Sequence, residues 1–401
     1  MRHVIVGNGV AGVTAAQAIR QADPSAEVSV IGEEPYPYYR RPLLWKFIAG
    51  QIGQDAIVFR PAKWYEERGI RLRLGIGVTA LEPEDHSITL ADNSKVVYDR
   101  LLLATGARSQ VPDCEGVEKE GVFTLRSLDD ALAVKAYAGK VSKAIVVGGG
   151  LLGLETARAL RTAGLEVTVV EFLTHLLPRQ LDVEGANVLQ SLLEAQGLRI
   201  VTSAEAESIL GDSCVRGIQM RDGRAIDGDM VVFSTGIRPE INLAKAAGLR
   251  VDLGVVVNHR LQTSVEGVFA AGDAAEFEGQ VYGIIPPAID QARIAAANMV
   301  APDSAVYAGT LPSTTLEVAG AEVTTLGKAL VDGEEYTKLR KVDIKAGEYR
   351  KLVLRDKRIV GAILLNDSRS RPIKRLIEQK IDVSNHIDQL LDDRFDLNAL
   401  Q

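Results

Sequence analysis

Apolar residues fall along this chain in short, dense runs. Residues 4–6, 27–31, 100–103, 144–147, 166–170 and 230–233 are dominated by Val, Ile, Leu and Met, with Gly or charge at their ends. Runs of this length, rich in β-branched residues, predict buried strands. Residues 13–22, rich in Ala, and 154–163 predict helices. So do 61–68, with Trp64 and Tyr65 on one face, and 127–137. Residues 70–74, 77–81, 87–90 and 96–98 form an antiparallel meander that turns at Asp92-Asn93-Ser94. Similar short strands recur at 200–201 and 215–220. From Leu311 the pattern changes to β-branched strands at 314–318, 322–326, 335–343, 349–354 and 359–364. Helices follow at 369–379 and 388–393.

Within this pattern one unit occurs twice. The first strand runs into Gly7-Asn8-Gly9-Val10-Ala11-Gly12 and then a helix; a second strand ends at Gly32-Glu33-Glu34. Gly7 allows the tight turn, Gly9 lets a pyrophosphate approach the backbone, and Gly12 lets helix and strand pack closely. The helix N-terminus then offers free N–H groups to phosphate, and an acid about twenty residues on can accept hydrogen bonds from a ribose. About 140 residues later the unit returns as a strand, Gly148-Gly149-Gly150-Leu151-Leu152-Gly153, a helix, and a second strand closed by Glu171. The strands at 100–103 and 230–233 both end in a Thr-Gly turn, Ala104-Thr105-Gly106 and Thr235-Gly236. Two dinucleotides in one chain point to hydride transfer between a nicotinamide and a flavin. Gly272-Asp273 ends a further strand, where an Asp can hold ribityl hydroxyls or merely cap a turn. Pro286-Pro287 open a helix over 288–299 whose dipole suits a reduced flavin.

The chain has 401 residues, enough for two or three domains, with 46% hydrophobic and 25% charged residues. Its net charge of −7 argues against nucleic acid as a partner. No signal-peptide pattern opens the chain, and no apolar run is long enough to span a membrane, so the cytoplasm is the expected location. Two cysteines, Cys114 and Cys214, and five scattered histidines predict neither a disulfide framework nor a metal site.

The two phosphate turns, the Thr-Gly closures and Gly272-Asp273 resemble the two-dinucleotide flavoprotein superfamily of glutathione reductase over the first three quarters of the chain. Pro37-Tyr38-Tyr39-Arg40-Arg41-Pro42-Leu43 is similar to the branch that includes NADH–rubredoxin reductase, the NADH-binding part of assimilatory nitrite reductase, oxygenase ferredoxin reductases and apoptosis-inducing factor. Tyr349–Leu354 with Val360–Leu364 resembles the C-terminal domain of rubredoxin reductase and of the nitrite reductase module.

The resemblance implies an α/β architecture: two Rossmann-like domains, the FAD domain discontinuous, and a C-terminal α+β domain. The expected boundaries are 1–110 with 236–310 for FAD, 111–235 for NADH, and 311–401. Lys46 and Glu155 are the implied catalytic pair at flavin N5. Gly7, Gly9, Val10, Ala11, Gly12, Glu33, Glu34, Arg40 or Arg41, Val78, Ala104, Thr105, Gly106, Arg126, Gly272, Asp273 and Pro287 are cofactor-binding positions, as are Gly148, Gly150, Leu151, Leu152, Gly153, Glu171, Thr235 and Gly236. A carboxylate at Glu171 should repel a 2′-phosphate and so favour NADH over NADPH.

The segment after the first turn has no cysteine, unlike that of disulfide reductases. Electrons should therefore leave directly from the flavin. The expected acceptor is a small iron protein, rubredoxin or ferredoxin. The alternatives are a role as the NADH-oxidising subunit of a larger reductase, or as a slow NADH sensor; a homodimer is compatible with each. Arg369, Arg371, Lys374 and Arg375 cluster within seven residues and are read either as docking surface for an acidic acceptor or as a solvated helix face, with pairing to Asp392 and Asp393 a further alternative.

Overall fold

Val4, Ile5 and Val6 are buried on both faces of a parallel sheet, in register with Ser29–Ile31 on one side and Leu101–Leu103 on the other. That two-sided burial is why their run shows no polar alternation. The computed structural model describes residues 1–310, 313–318 and 320–400; Leu311, where the change of pattern begins, and Gln401, the last residue of the expected third domain, lie outside them. The described chain forms two compact units. One comprises residues 1–43, 52–109 and 237–310; the other comprises 44–51, 110–236 and the C-terminal segment.

In the first unit the five-stranded sheet runs 268–270, 100–103, 2–6, 27–31, 70–73, all parallel. The helix Val10–Ala22 packs Val13, Ala15, Ala16 and Ile19 onto it and pairs with the helix Ile285–Val300 through Ala-rich faces. Small side chains let the two helices approach closely. The expected meander is present as strands 78–82, 87–90 and 95–97, but residues 70–73, expected as its first strand, instead pair in parallel with 28–31 at the edge of the five-stranded sheet.

The second unit repeats the plan with sheet order 122–124, 230–233, 143–147, 166–170, 198–201, again parallel, and a meander at 206–210, 217–220 and 225–227. The edge strand precedes the rest of the sheet here, whereas in the first unit it follows after a long excursion. The same unit carries an antiparallel sheet ordered 313–318, 321–327, 358–365, 348–355, 337–343, covered by the helix Ser370–Glu378 through Ile373 and Leu376.

Asp182 joins this sheet to the parallel-sheet part of the unit. Its carboxylate caps the helix Val183–Ala195 at Gly185 N–H (3.1 Å). It also accepts from the Tyr349 hydroxyl (2.8 Å) and the buried Lys351 ammonium (2.9 Å).

Helical stretches differ from expectation too. The helix Val183–Ala195 had no counterpart in the sequence reading, although Asp182 supplies its N-cap signal. The helix expected at 388–393 is instead a 3₁₀ stretch over Ser384–Gln389 followed by turns. Asp392 takes the Arg394 N–H onto its own side chain (2.9 Å), the competition that keeps Asp out of helix interiors.

Candidate functional site

Two strand-to-helix turns face the same chemical problem in the same way. Gly7 has φ +114° and Gly148 has φ +120°, backbone that a side chain would strain. A Cβ on Gly12 would collide with the Gly7 carbonyl, and one on Gly153 with the Gly148 carbonyl. A Cβ on Gly9 or Gly150 would meet nothing within 4 Å. These two glycines are the N-caps of the helices Val10–Ala22 and Leu151–Thr162. Neither helix has a side-chain cap or an acid in its first turn. By contrast, Ser127 and Asp130 box the helix Leu128–Ala138, and Asp182 caps Val183–Ala195. Helix starts normally need such acceptors for their orphan N–H groups. Leaving both glycine turns without one suits them to an anion.

In the first unit Asn8 is fixed by the Tyr65 hydroxyl (2.7 Å), which holds the turn from the side. Val10 and Ala11 follow at the helix start. Gly272 lies against this start: a Cβ there would stand 3.0 Å from the Ala11 Cβ and 3.7 Å from that of Ala288. Its N–H donates to buried Gln291 (2.8 Å), and Asp273 follows in a 3₁₀ turn. Pro287 is buried in the first turn of Ile285–Val300.

The two candidate acids part company. Glu34 accepts from Tyr39 and from Arg41 (2.6 Å), whereas Glu33 is exposed beside Gly77, and Val78 opens the strand that follows. The two candidate arginines part too. Arg40 stacks 3.7 Å over Phe59 and, with Arg60 and Arg293, lines a groove of about 570 Å³ against Val10, Val13 and Ile289.

The Thr-Gly turns hold something the sequence did not reveal. Thr105 donates its hydroxyl to the Glu240 carbonyl (2.9 Å), and Thr235 donates to Gln110 (2.6 Å). Glu240 N–H returns to Gly106 and Gln110 N–H to Gly236, each at 2.9 Å, while 107–109 pairs with 237–239. The hydroxyl protons of both threonines are thus engaged by neighbouring segments, and the first turn anchors the paired strands 107–109 and 237–239. Ala104 and Gly106 flank the first of them.

In the second unit Glu171 is 7% exposed and held at the turn: one carboxylate oxygen accepts from Gly149 N–H (2.6 Å), the other from Leu173 N–H (2.7 Å). Leu151 and Leu152 begin the helix above it. Arg126 is half-buried, with its backbone N–H on the Asp130 cap (2.7 Å).

Glu155, on that helix, interacts electrostatically with Lys46 of the short helix Leu44–Ile48. Burial, reinforced by the Glu317 carboxylate, pushes Glu155 up to about 8 against the opposing pull of Lys46 and Arg158. Lys46 and Arg158 lie 5.2 and 5.3 Å from the ring of buried Trp45. Sequence reasoning missed Trp45, Arg158 and Glu317. Only the i, i+3 spacing of Glu155 and Arg158 pointed to any of them.

A family model described as pyridine nucleotide-disulphide oxidoreductase matches residues 1–298. The chain belongs to that family. It is a family of FAD-containing, NAD(P)H-dependent flavoprotein reductases, as its two glycine turns suggest. A second model, rubredoxin NAD⁺ reductase C-terminal domain, matches 312–381. Nitrite reductase [NAD(P)H] of Bacillus subtilis is 36% identical over 95% of this chain and 48% of its own length. NADH-rubredoxin oxidoreductase of Clostridium acetobutylicum is 28% identical over 95% of this chain and 96% of its own. A solved ferredoxin reductase from Rhodopseudomonas palustris superposes with TM-score 0.89 at 26% identity, covering 99% of this chain and 98% of that one. The chain spans about half the length of its nitrite-reductase relatives.

Cys114 and Cys214 are both free thiols. Cys114 is buried, and burial pushes its thiol up, which makes it a poor nucleophile. The C-terminal arginine cluster is mostly occupied internally. Arg369 donates to the Asp392 carbonyl (3.0 Å) and Arg375 to the Leu397 and Leu400 carbonyls (3.1 and 2.8 Å), while Lys374 lies 3.8 Å from Glu378. Asp393 is taken by Lys341 and Arg350. Two of the four cations therefore serve the fold, which weakens the docking reading of this cluster. Among the described residues no helix is long and apolar enough to cross a membrane, and no cluster of His, Cys, Asp and Glu could hold a metal ion.

Proposed function

We propose that the protein oxidises NADH through a bound FAD and delivers the electrons singly to an external iron protein of the rubredoxin or ferredoxin kind. The observation that carries this reading is the pair of uncapped helix starts, each behind a glycine that leaves room for a pyrophosphate. The flavin, when bound, supplies the chemistry: it accepts a two-electron hydride and releases electrons one at a time.

The residues of this chain supply everything else. Gly9 to Gly12 and the helix behind them receive the FAD pyrophosphate; exposed Glu33 receives the ribose hydroxyls and Asp273 the ribityl chain. Gly150 to Gly153 receive the NADH pyrophosphate. Glu171, fixed by two backbone N–H groups, keeps its remaining lone pairs for the adenosine ribose and disfavours a 2′-phosphate. Lys46 and Glu155 orient the reacting rings: Lys46 as a cationic donor, Glu155 as a carboxyl that keeps its proton at neutral pH.

The groove bearing Arg40, Arg60 and Arg293 has no carboxylate in its lining. On a chain of net charge −7 it is the surface suited to an acidic partner. A second reading, the NADH-oxidising module of a larger reductase, is favoured by the half-length match to nitrite reductases. Purification and stopped-flow spectroscopy test the proposal. The expected result is a yellow protein with one FAD per chain, bleached rapidly by NADH and reoxidised by rubredoxin or ferredoxin. A colourless folded protein that takes up no FAD would refute it.

A further inference from the structure

The helix Leu151–Thr162 packs against the strand Ser313–Val318 of the C-terminal sheet. Glu317 on that strand places a carboxylate oxygen 3.9 Å from Arg158 Nη1. Arg158 stands one turn after Glu155 on the same helix, and its guanidinium also lies 5.3 Å from the Trp45 ring. Lys46 approaches that ring at 5.2 Å. Three elements thus bring two carboxyl groups and two cations to one place. A fourth element, the helix Leu128–Ala138, contributes Lys135, but its ammonium is held by the Phe47 carbonyl (2.8 Å). The charges that face Glu155 are therefore Lys46, Arg158 and Glu317. Arg158 favours an ionised Glu155, and the Glu317 carboxylate 3.9 Å from Arg158 offsets that charge.

We propose that Glu317, from the C-terminal sheet, is a positioning residue for the hydride site. Its carboxylate offsets the nearby charge of Arg158 and repels a negative charge on Glu155, and so favours Glu155 as a neutral, proton-bearing carboxyl. The C-terminal domain then sets the pH range over which NADH reduces the flavin. This rests on the reading of Lys46 and Glu155 given above.

Glu317 is 65% exposed on its side chain, which limits the expected effect to about half a pH unit. The sign is fixed. Removing Glu317 removes a repelling charge and leaves an attracting one unopposed, and both changes favour ionised Glu155.

The test is infrared titration of the holoprotein, following the carboxylic C=O stretch that disappears in Glu155→Gln. Glu317→Gln should move its midpoint down by about half a unit, and Arg158→Gln should move it up. The pH profile of stopped-flow flavin reduction should shift in parallel. A midpoint unchanged in both variants would overturn the inference, whatever the enzyme's rate. If the midpoint moves as stated but NADH fails to reduce the flavin, the coupling stands and the proposed function falls.

Discussion

At the scale of single residues the proposed chemistry rests on groups held by others. Replacing Lys46 or Glu155 by Ala should slow flavin reduction by NADH by a factor that corresponds to ~2–4 kcal/mol of barrier. FAD should stay bound, and single-turnover kinetics read the rate. Glu155 also predicts a pH response: its carboxyl, raised to about 8 chiefly by burial, is neutral below that value and ionises above it. Flavin reduction should therefore fall as pH rises through about 8, and a profile flat from pH 6 to 9 would count against a role for the neutral form. The glycines and acids of the two turns were legible in the sequence because their spacing encodes local geometry. The partners of Lys46 and Glu155 were not, because Trp45, Arg158 and Glu317 meet only through tertiary packing. The threonines of the two turns show the same limit: their spacing marked them, but their hydroxyls point at segments more than a hundred residues away.

At the scale of elements the helix starts carry the argument. Gly150→Asp would introduce the cap that the helix Leu151–Thr162 lacks, where a Cβ meets nothing. Replacing Gly by Asp at an N-cap stabilises a helix by a few tenths of a kcal/mol, while its charge repels phosphate. The variant should melt no lower than wild type, yet bind NADH at least tenfold more weakly by titration.

Asp182 illustrates the opposite case, an acid whose removal is structural. Burial alone would raise its carboxyl, but the bonds from Lys351 and Tyr349 outweigh that and hold it below the usual carboxylate range. Its stabilisation is therefore present above the unfolded value near 4 and lost as pH falls through the lowered folded value. Asp182→Ala strips a cap and strands the Lys351 ammonium, which is 4% exposed on its side chain. A cost of about 3–5 kcal/mol is expected, read as a lowered denaturation midpoint at pH 7. The parallel-sheet strands, buried on both faces, were readable as continuous apolar runs. The helix Val183–Ala195 is hard to read from the sequence because Gly185, a poor helix former, sits in its first turn.

At the scale of the whole molecule, the distribution of charge makes a prediction. Reversing Arg60 and Arg293 to Glu should raise the Michaelis constant for an acidic iron protein severalfold and flatten its salt dependence, leaving NADH-to-dye activity intact. The same reversal at Arg371 should do less, since its neighbours Arg369 and Arg375 are tied to backbone carbonyls.

The interleaving of the two sheets bears on how this chain is made. Strand 100–103 waits for its outer neighbour, 268–270, while the whole second parallel sheet lies between them. On a ribosome adding about 5–20 residues per second, that wait is roughly ten to thirty seconds. During it the inner sheet can close first, and the earlier one carries an open, leucine-rich edge exposed to stray pairing. Nascent chains arrested near residue 240 should therefore engage chaperones more strongly than chains arrested beyond residue 310, and crosslinking at positions 101–103 would detect the difference.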